Sequence, residues 1–171
     1  MTRTARIFAL LLLAALPASA QSQPTQDPLL DRLIGHWVLR GTIGGSETTH
    51  DVTFEWVLGH QYVRLHEVSR EKDQKGQPAY EAMVFIGRDE PSGRYACLWL
   101  DSTGGGGLSA RAIGYADRAG DELAFLFKIA DGSSFHTTFK YSKIADTWQW
   151  VMDGEEGGKL QPFARVTLTR K

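Results

Sequence analysis

From His36 onward the chain reads as short runs of Val, Thr and aromatic residues broken by glycine-containing polar stretches. The breaks fall at Gly44-Gly45-Ser46, Gly59-His60, Asp73–Pro78, Glu90–Gly93, Gly104–Gly107, Arg118–Gly120, Asp131-Gly132, Lys143–Asp146 and Gly154–Gly158. Intervals of roughly 8–15 residues are the spacing of an antiparallel sandwich or barrel. These breaks predict about ten strands. No long helical segment separates them, which argues against a parallel sheet with crossover helices.

Individual elements follow from local patterns. Asp27 suits a helix N-cap, Pro28 the first helical position and Gly35 the stop. Between them Leu29, Leu30, Leu33 and Ile34 share one face, so this short helix must lie against something apolar. A two-residue loop at Gly59-His60, with Gly59 suited to a type II′ turn, pairs Leu58 with Gln61. It sets Trp56 opposite Val63, Phe54 opposite Leu65 and Val52 opposite Glu67, a mostly apolar face expected to point inward. The other face pairs Glu55 with Arg64 and Thr53 with His66. Further on, Leu123, Phe125, Phe127 and Ile129 alternate with polar partners, as do Phe135, Thr137, Phe139 and Tyr141, and then Trp148, Trp150 and Met152. A three-residue connection, Asp131 to Ser133, would keep both aromatic rows on one face, with Phe125 opposite Phe139 and Phe127 opposite Thr137. Ala82–Ile86 and Ala96–Leu100 are apolar on both parities, and periodicity assigns them no face.

The N-terminus has a different character. Arg3 and Arg6 precede an apolar run from Ile7 to Leu16, then Pro17 and Ala18-Ser19-Ala20. A basic end, a short apolar stretch and an A-x-A exit form a secretory signal. The run is shorter than the roughly 20 residues a membrane-spanning helix needs. Residues 1–20 are therefore the expected signal, 21–27 a polar lead and 28–171 one β-barrel domain, periplasmic or secreted. Without Arg3 and Arg6, 17 of the 19 basic residues remain against 20 acidic ones, a net charge of −3. This gives no electrostatic footprint for nucleic acid. Cys97 is the sole cysteine, which excludes an intrachain disulfide and a lipoprotein anchor. The domain must rest on its core, for which five tryptophans and eight phenylalanines are available.

Leu33-Ile34-Gly35-His36-Trp37 follows the short helix and opens the first strand; a Gly-x-Trp there resembles the start of lipocalin-like (calycin) barrels. Phe54-Glu55-Trp56-Val57-Leu58-Gly59, Phe85-Ile86-Gly87-Arg88-Asp89, Gly93-Arg94-Tyr95, Trp99-Leu100-Asp101-Ser102 and Gly114-Tyr115-Ala116-Asp117 extend the likeness. In order, they resemble the DUF1579 family from about Leu29 to Lys171. The resemblance implies an antiparallel, lipocalin-like barrel in which Trp37 closes one end. It implies little about activity. The related nitrobindin barrels bind haem through a histidine near the C-terminus. No histidine follows His136 here, and that departure speaks against haem.

Candidate chemistry is sparse. His36, His50, His60, His66 and His136 show no i, i+2 pair of the kind that would ligate a metal from one strand, and they read as solvated or rim residues. No G-x-S-x-G is present. Gly104–Gly107 lacks the Lys-Ser/Thr of a phosphate loop and reads as a rim hairpin. Cys97, between Tyr95 and Trp99, reads as a buried inert thiol. Arg111 sits on an alternating run from Leu108 to Ala116. It faces out if the small residues face in, and is a buried cation if they do not.

The expected ligand space is lined by Phe54, Trp56, Phe125, Phe127, Phe139, Trp148 and Trp150, with Trp37 and Trp99 at the same level of expectation. Arg111, Tyr95 or Tyr141 would supply polar contacts. The pattern points to non-enzymatic binding of a small, largely apolar molecule, with no catalytic residue, metal or cofactor assigned. A cyclase- or isomerase-like barrel enzyme and a filled-barrel interaction module are the alternatives. Signal cleavage is expected between Ala20 and Gln21. N-terminal sequencing of the exported protein should begin at Gln21; a chain beginning at Met1 would refute it.

Overall fold

The computed structural model describes residues 27–104, 107–129 and 132–171. The expected signal and cleavage point, and Gly105-Gly106 of the glycine run, lie outside the described residues. The strands are β1 (Gly35–Ile43), β2 (Ser46–Val57), β3 (Tyr62–Ser69), β4 (Glu81–Asp89), β5 (Arg94–Asp101), β6 (Ile113–Ala116), β7 (Arg118–Ala119), β8 (Glu122–Lys128), β9 (Ser134–Ser142), β10 (Thr147–Glu156) and β11 (Lys159–Arg170). Neighbours pair antiparallel around the sheet, β1 pairs with β11, and β6 pairs with β8. Ten strands thus close into a barrel, and β7 is a two-residue spur hydrogen-bonded to β8. Among the described residues every barrel strand has a paired neighbour on both sides.

The seam between β6 and β8 is the narrowest, with only Gly114 opposite Phe127 and Tyr115 opposite Leu126. Gly114 is required there. A Cβ at this position would lie 2.5 Å from the Phe127 ring, which occupies the hollow the glycine leaves. The small residues Ala112, Gly114 and Ala116 therefore face inward.

Arg111 is on neither face of a strand. Ser109 accepts a hydrogen bond from the Arg111 amide and caps a single 3-10 turn over Ala110–Ala112. The continuous strand expected from Leu108 is thus broken, and Arg111 is exposed rather than buried.

The β2–β3 register is the expected one, from Trp56 opposite Val63 to Val52 opposite Glu67. Glu55 and Arg64 form the anticipated ion pair. The turn is different. The ladder stops at Val57 and Tyr62, and Gln61 N–H donates to the Val57 carbonyl at 3.2 Å. Leu58, Gly59 and His60 all have left-handed backbone (φ 50°, 68° and 65°), whereas a type II′ turn needs positive φ at one central position.

The β8–β9 register also departs from expectation. Phe125 lies opposite Thr137, Phe127 opposite Phe135 and Leu123 opposite Phe139. Ile129 N–H donates to the Ser133 carbonyl at 3.1 Å, so the connection falls one residue earlier than the expected Asp131 to Ser133. A slip of two residues keeps every side chain on its own face, so burial cannot distinguish the two registers. Phe125 and Phe139 still meet edge to face on the diagonal, their centroids 6.4 Å apart.

One end of the barrel is plugged. The helix is shorter than its apolar pattern implied: α1 spans Pro28–Asp31, with Arg32 as its C-cap, and Gly35 already belongs to β1. Asp27 caps it by accepting from the Leu29 and Leu30 amides, at 2.9 and 3.4 Å, and also accepts from the Tyr95 hydroxyl. Leu29, Leu30 and Leu33 are fully buried. Trp37 Nε1 donates to the Leu33 carbonyl at 2.6 Å, and Trp148 Nε1 to the Arg32 carbonyl at 3.4 Å. The Arg170 guanidinium lies 4.2 Å from the Trp37 ring centre and donates to the Ile34 and Arg32 carbonyls.

Above this plug an aromatic layer fills the middle of the barrel. Phe139 stacks on Trp150 at 4.5 Å, meets Phe54 and Phe125 edge to face, and Trp150 in turn meets Trp99 at 5.5 Å. Ala82, Val84, Ile86, Tyr95 and Cys97 complete the inner surface, which settles the facing of β4 and β5. Cys97 is fully buried, and burial pushes its thiol pKa up, so it stays protonated.

Trp150 has no exposed surface, and its indole N–H has no partner among the described residues. Truncating it removes packing without breaking a hydrogen bond. Trp150→Ala should cost about 3–5 kcal/mol in equilibrium denaturation, the range for a buried aromatic in a filled core. A loss below about 1 kcal/mol would contradict a packed central layer.

Candidate functional site

The strands run so that the residues far from α1 gather at the opposite end. There Ile43 ends β1, Ser46–His50 begin β2, Ser69 ends β3, Asp101 ends β5, and Phe127, Phe135, Met152 and Phe163 come from β8 to β11. They surround a cavity of about 750 Å³, open on one side. Its floor is formed by Trp99, which leans on Trp150 of the packed layer.

The cavity has two unlike walls. Ile43, Phe127, Ile129, Phe135, Met152 and Phe163 make the apolar one, with Phe135 and Phe163 edge to face at 5.5 Å. Thr48, His50, Glu67, Ser69, Glu71 and Asp101 make the polar one. Tyr80, in the connection before β4, stands beside this wall with its ring stacked on His50 at 5.8 Å. Arg111 sits exposed at the rim.

His50 and Glu67 are the centre of the polar wall. They are 4% and 1% exposed, and His50 Nδ1 is hydrogen-bonded to Glu67 Oε1. His50 is thus a buried paired residue, not the solvated or rim histidine its sequence context indicated. A chain of bonds fixes its protons. Glu71 accepts from the Ser69 hydroxyl at 2.6 Å, the Thr48 hydroxyl at 3.0 Å and the Thr49 amide at 3.1 Å. These bonds, led by Ser69, hold its carboxyl down at about 2. An ionised carboxylate only accepts, so the single Thr48 proton goes to Glu71. His50 Nε2, 2.8 Å from Thr48 Oγ1, must then donate. One proton remains to be shared between His50 Nδ1 and Glu67 Oε1. Whether the pair is imidazolium with carboxylate or imidazole with carboxylic acid, its net charge is zero. That neutrality is what makes the pair tolerable out of water.

The remaining capacity of the wall is narrow. Asp101 accepts from Trp99 Nε1 at 3.2 Å and from the Thr103 amide and hydroxyl at 2.8 and 2.5 Å. Glu67 Oε2 is buried and has no hydrogen-bond partner among the described residues. A buried oxygen in that condition costs stability unless water or a guest satisfies it. Among the described residues no group of three or more His, Cys, Asp and Glu side chains is placed to hold a metal ion.

Of the residues expected to line the ligand space, Trp99, Arg111 and Phe127 do border the cavity. Phe54, Phe125, Phe139 and Trp150 form the packed layer below it, and Trp37, Tyr95 and Trp148 belong to the plug around α1. Trp56 is half-buried with its indole donating to Asp31 at 2.8 Å, and half-buried Tyr141 donates to Asp146 at 2.8 Å. His50, Glu67, Ser69, Glu71 and Tyr80 went unrecognised in the sequence. A signal for them existed: the β2–β3 register, carried one pair further, sets His50 opposite Ser69 and keeps Glu67 on the inward face.

The sequence matches no protein-family model and no curated protein.

Because Glu71 has a folded pKa below its ordinary 4.5, its contribution to stability is complete above about 4.5 and is lost as the pH falls towards 2. The side chain is largely exposed, so the effect is small. Denaturant melts of wild type and Glu71→Gln should differ at pH 6 and converge near pH 2. A constant difference across that window would refute the assignment.

Proposed function

We propose that this protein is an exported carrier barrel that binds one small, largely apolar molecule in the open-end cavity and releases it chemically unchanged. The observation that carries the reading is the contrast within one interior. The plug and the central layer are packed, while the far end keeps about 750 Å³ of space between an apolar wall and a compact polar one. Small-molecule sites typically fall at about 300–1,000 Å³ with a few polar groups set in an apolar lining. The N-terminal signal pattern supports a periplasmic or secreted location, and the ordered motif series supports kinship with the DUF1579 family.

A barrel enzyme is the second reading, favoured by one observation. The His50–Glu67 pair holds a shared proton beside the cavity, the arrangement a general acid or base uses. A screen of any co-purifying molecule for turnover separates the two. A filled-barrel interaction module does not account for the empty volume.

Thr137 is buried and faces the cavity from β9, so Thr137→Phe puts a ring into the space without altering the backbone. The fluorescent apolar probe N-phenyl-1-naphthylamine should bind the wild type with a blue-shifted emission. In Thr137→Phe its affinity should fall at least about tenfold, the effect of losing roughly 1.4 kcal/mol. Absence of probe binding to the wild type, or equal binding by the variant, would remove the carrier reading.

A further inference from the structure

We propose that the cavity is selective for an apolar molecule ending in a neutral hydroxyl group, which donates to Glu67 Oε2 and accepts from the Tyr80 hydroxyl. This rests on the carrier reading and deepens it by naming the chemistry of the guest.

Most of the hydrogen-bonding capacity of the polar wall is already spent. Glu71 and Asp101 have their oxygens engaged by Ser69, Thr48, Thr49, Trp99 and Thr103. His50 spends both ring nitrogens, on Glu67 and Thr48. On the polar wall two groups are left. Glu67 Oε2 is a buried acceptor with no partner among the described residues. The Tyr80 hydroxyl accepts from Trp99 Nε1 at 3.2 Å, and its own proton reaches no acceptor among the described residues. Burial and the nearby Glu67 and Asp101 charges push the phenol pKa up, so the proton stays available. Both residues border the same cavity. One open acceptor and one open donor match a hydroxyl group, which has one proton and lone pairs to offer.

Other end groups fit less well. A carboxylate would have no proton for Glu67 Oε2 and would sit beside the Glu71 and Asp101 carboxylates, with Arg111 out at the exposed rim. An ammonium brings three donors to a wall with one open acceptor, and although Glu71 and Asp101 attract its charge, their oxygens are already engaged by Ser69, Thr48, Thr49, Trp99 and Thr103. Desolvating that charge costs more than one hydrogen bond returns. An alkane would leave Glu67 Oε2 unsatisfied.

Displacement of N-phenyl-1-naphthylamine by 1-decanol, decanoate and decylamine tests this with one chain length and three end groups. Decanol should displace the probe from the wild type at a concentration about tenfold or more below the other two, the worth of one buried hydrogen bond. In Glu67→Gln, which puts an amide donor in reach of the open position, the decanol-to-decanoate ratio should collapse towards one. Tyr80→Phe should reduce it several-fold. The ratio is read within each variant, so a general change in probe affinity does not affect it. If Glu67→Gln fails to fold, the wild-type series and Tyr80→Phe decide. Equal or better displacement by decanoate or decylamine overturns the proposal, as does a decanol preference that survives both substitutions. Probe binding without an alcohol preference removes this inference alone; no probe binding at all removes the carrier reading with it.

Discussion

Closing ten antiparallel strands encloses more interior than a single layer of side chains can fill, and the rest of this structure follows from how that volume is divided. Hydrogen bonding around the circuit fixes the diameter. The chain spends its largest side chains at the α1 end and in the middle, where Trp37, Trp148, Trp150, Phe54, Phe125 and Phe139 are buried almost completely. Dispersion and burial of these rings dominate the stability of a domain without a disulfide. At the end where β2 begins and β5 stops, Phe127, Phe135 and Phe163 line the wall without filling the interior, and the cavity lies there.

Stability and site are coupled through a few positions. Gly114 lets Phe127 lie across the narrow β6–β8 seam, and Phe127 then forms part of the apolar wall. Trp99 rests on Trp150 and presents its indole N–H to Tyr80 and Asp101, so the packed layer orients the cavity floor. On the polar side, a buried histidine and glutamate survive because they neutralise each other and because Thr48, Ser69 and Glu71 complete the bonds around them. Replacing such a network by apolar residues is often neutral or stabilising, so its presence beside a cavity speaks for binding rather than for folding.

Much of the fold was readable because it rests on parity and on turn residues. Alternation placed Phe54, Phe125, Phe139 and Trp150 inside, and glycine breaks marked the strand count. Asp27-Pro28 marked the start of α1, but its end was missed because one turn, held by tertiary contacts, sufficed to seat Leu29, Leu30 and Leu33. Two-residue shifts were not readable: Phe125 opposite Thr137 and Phe125 opposite Phe139 bury the same faces, and only the Ile129–Ser133 connection selects between them. The site was less legible than the fold. Aromatic residues are found by their size, and most of them proved to be packing. His50 and Glu67 lie 17 positions apart along the chain and become neighbours only through the β2–β3 ladder. For Arg111 alternation left both facings open, and a serine cap that turns the apparent strand into a 3-10 turn leaves it exposed at the rim.

A carrier of this design holds a guest in its open-end cavity when it is taken from its host. Native mass spectrometry of the protein purified from its own host addresses it directly. A carrier should give a species heavier than the chain by the mass of one small apolar molecule, lost on denaturation and absent from Thr137→Phe. A bare chain mass for freshly isolated wild type, unchanged after incubation with an extract of host small molecules, would contradict it.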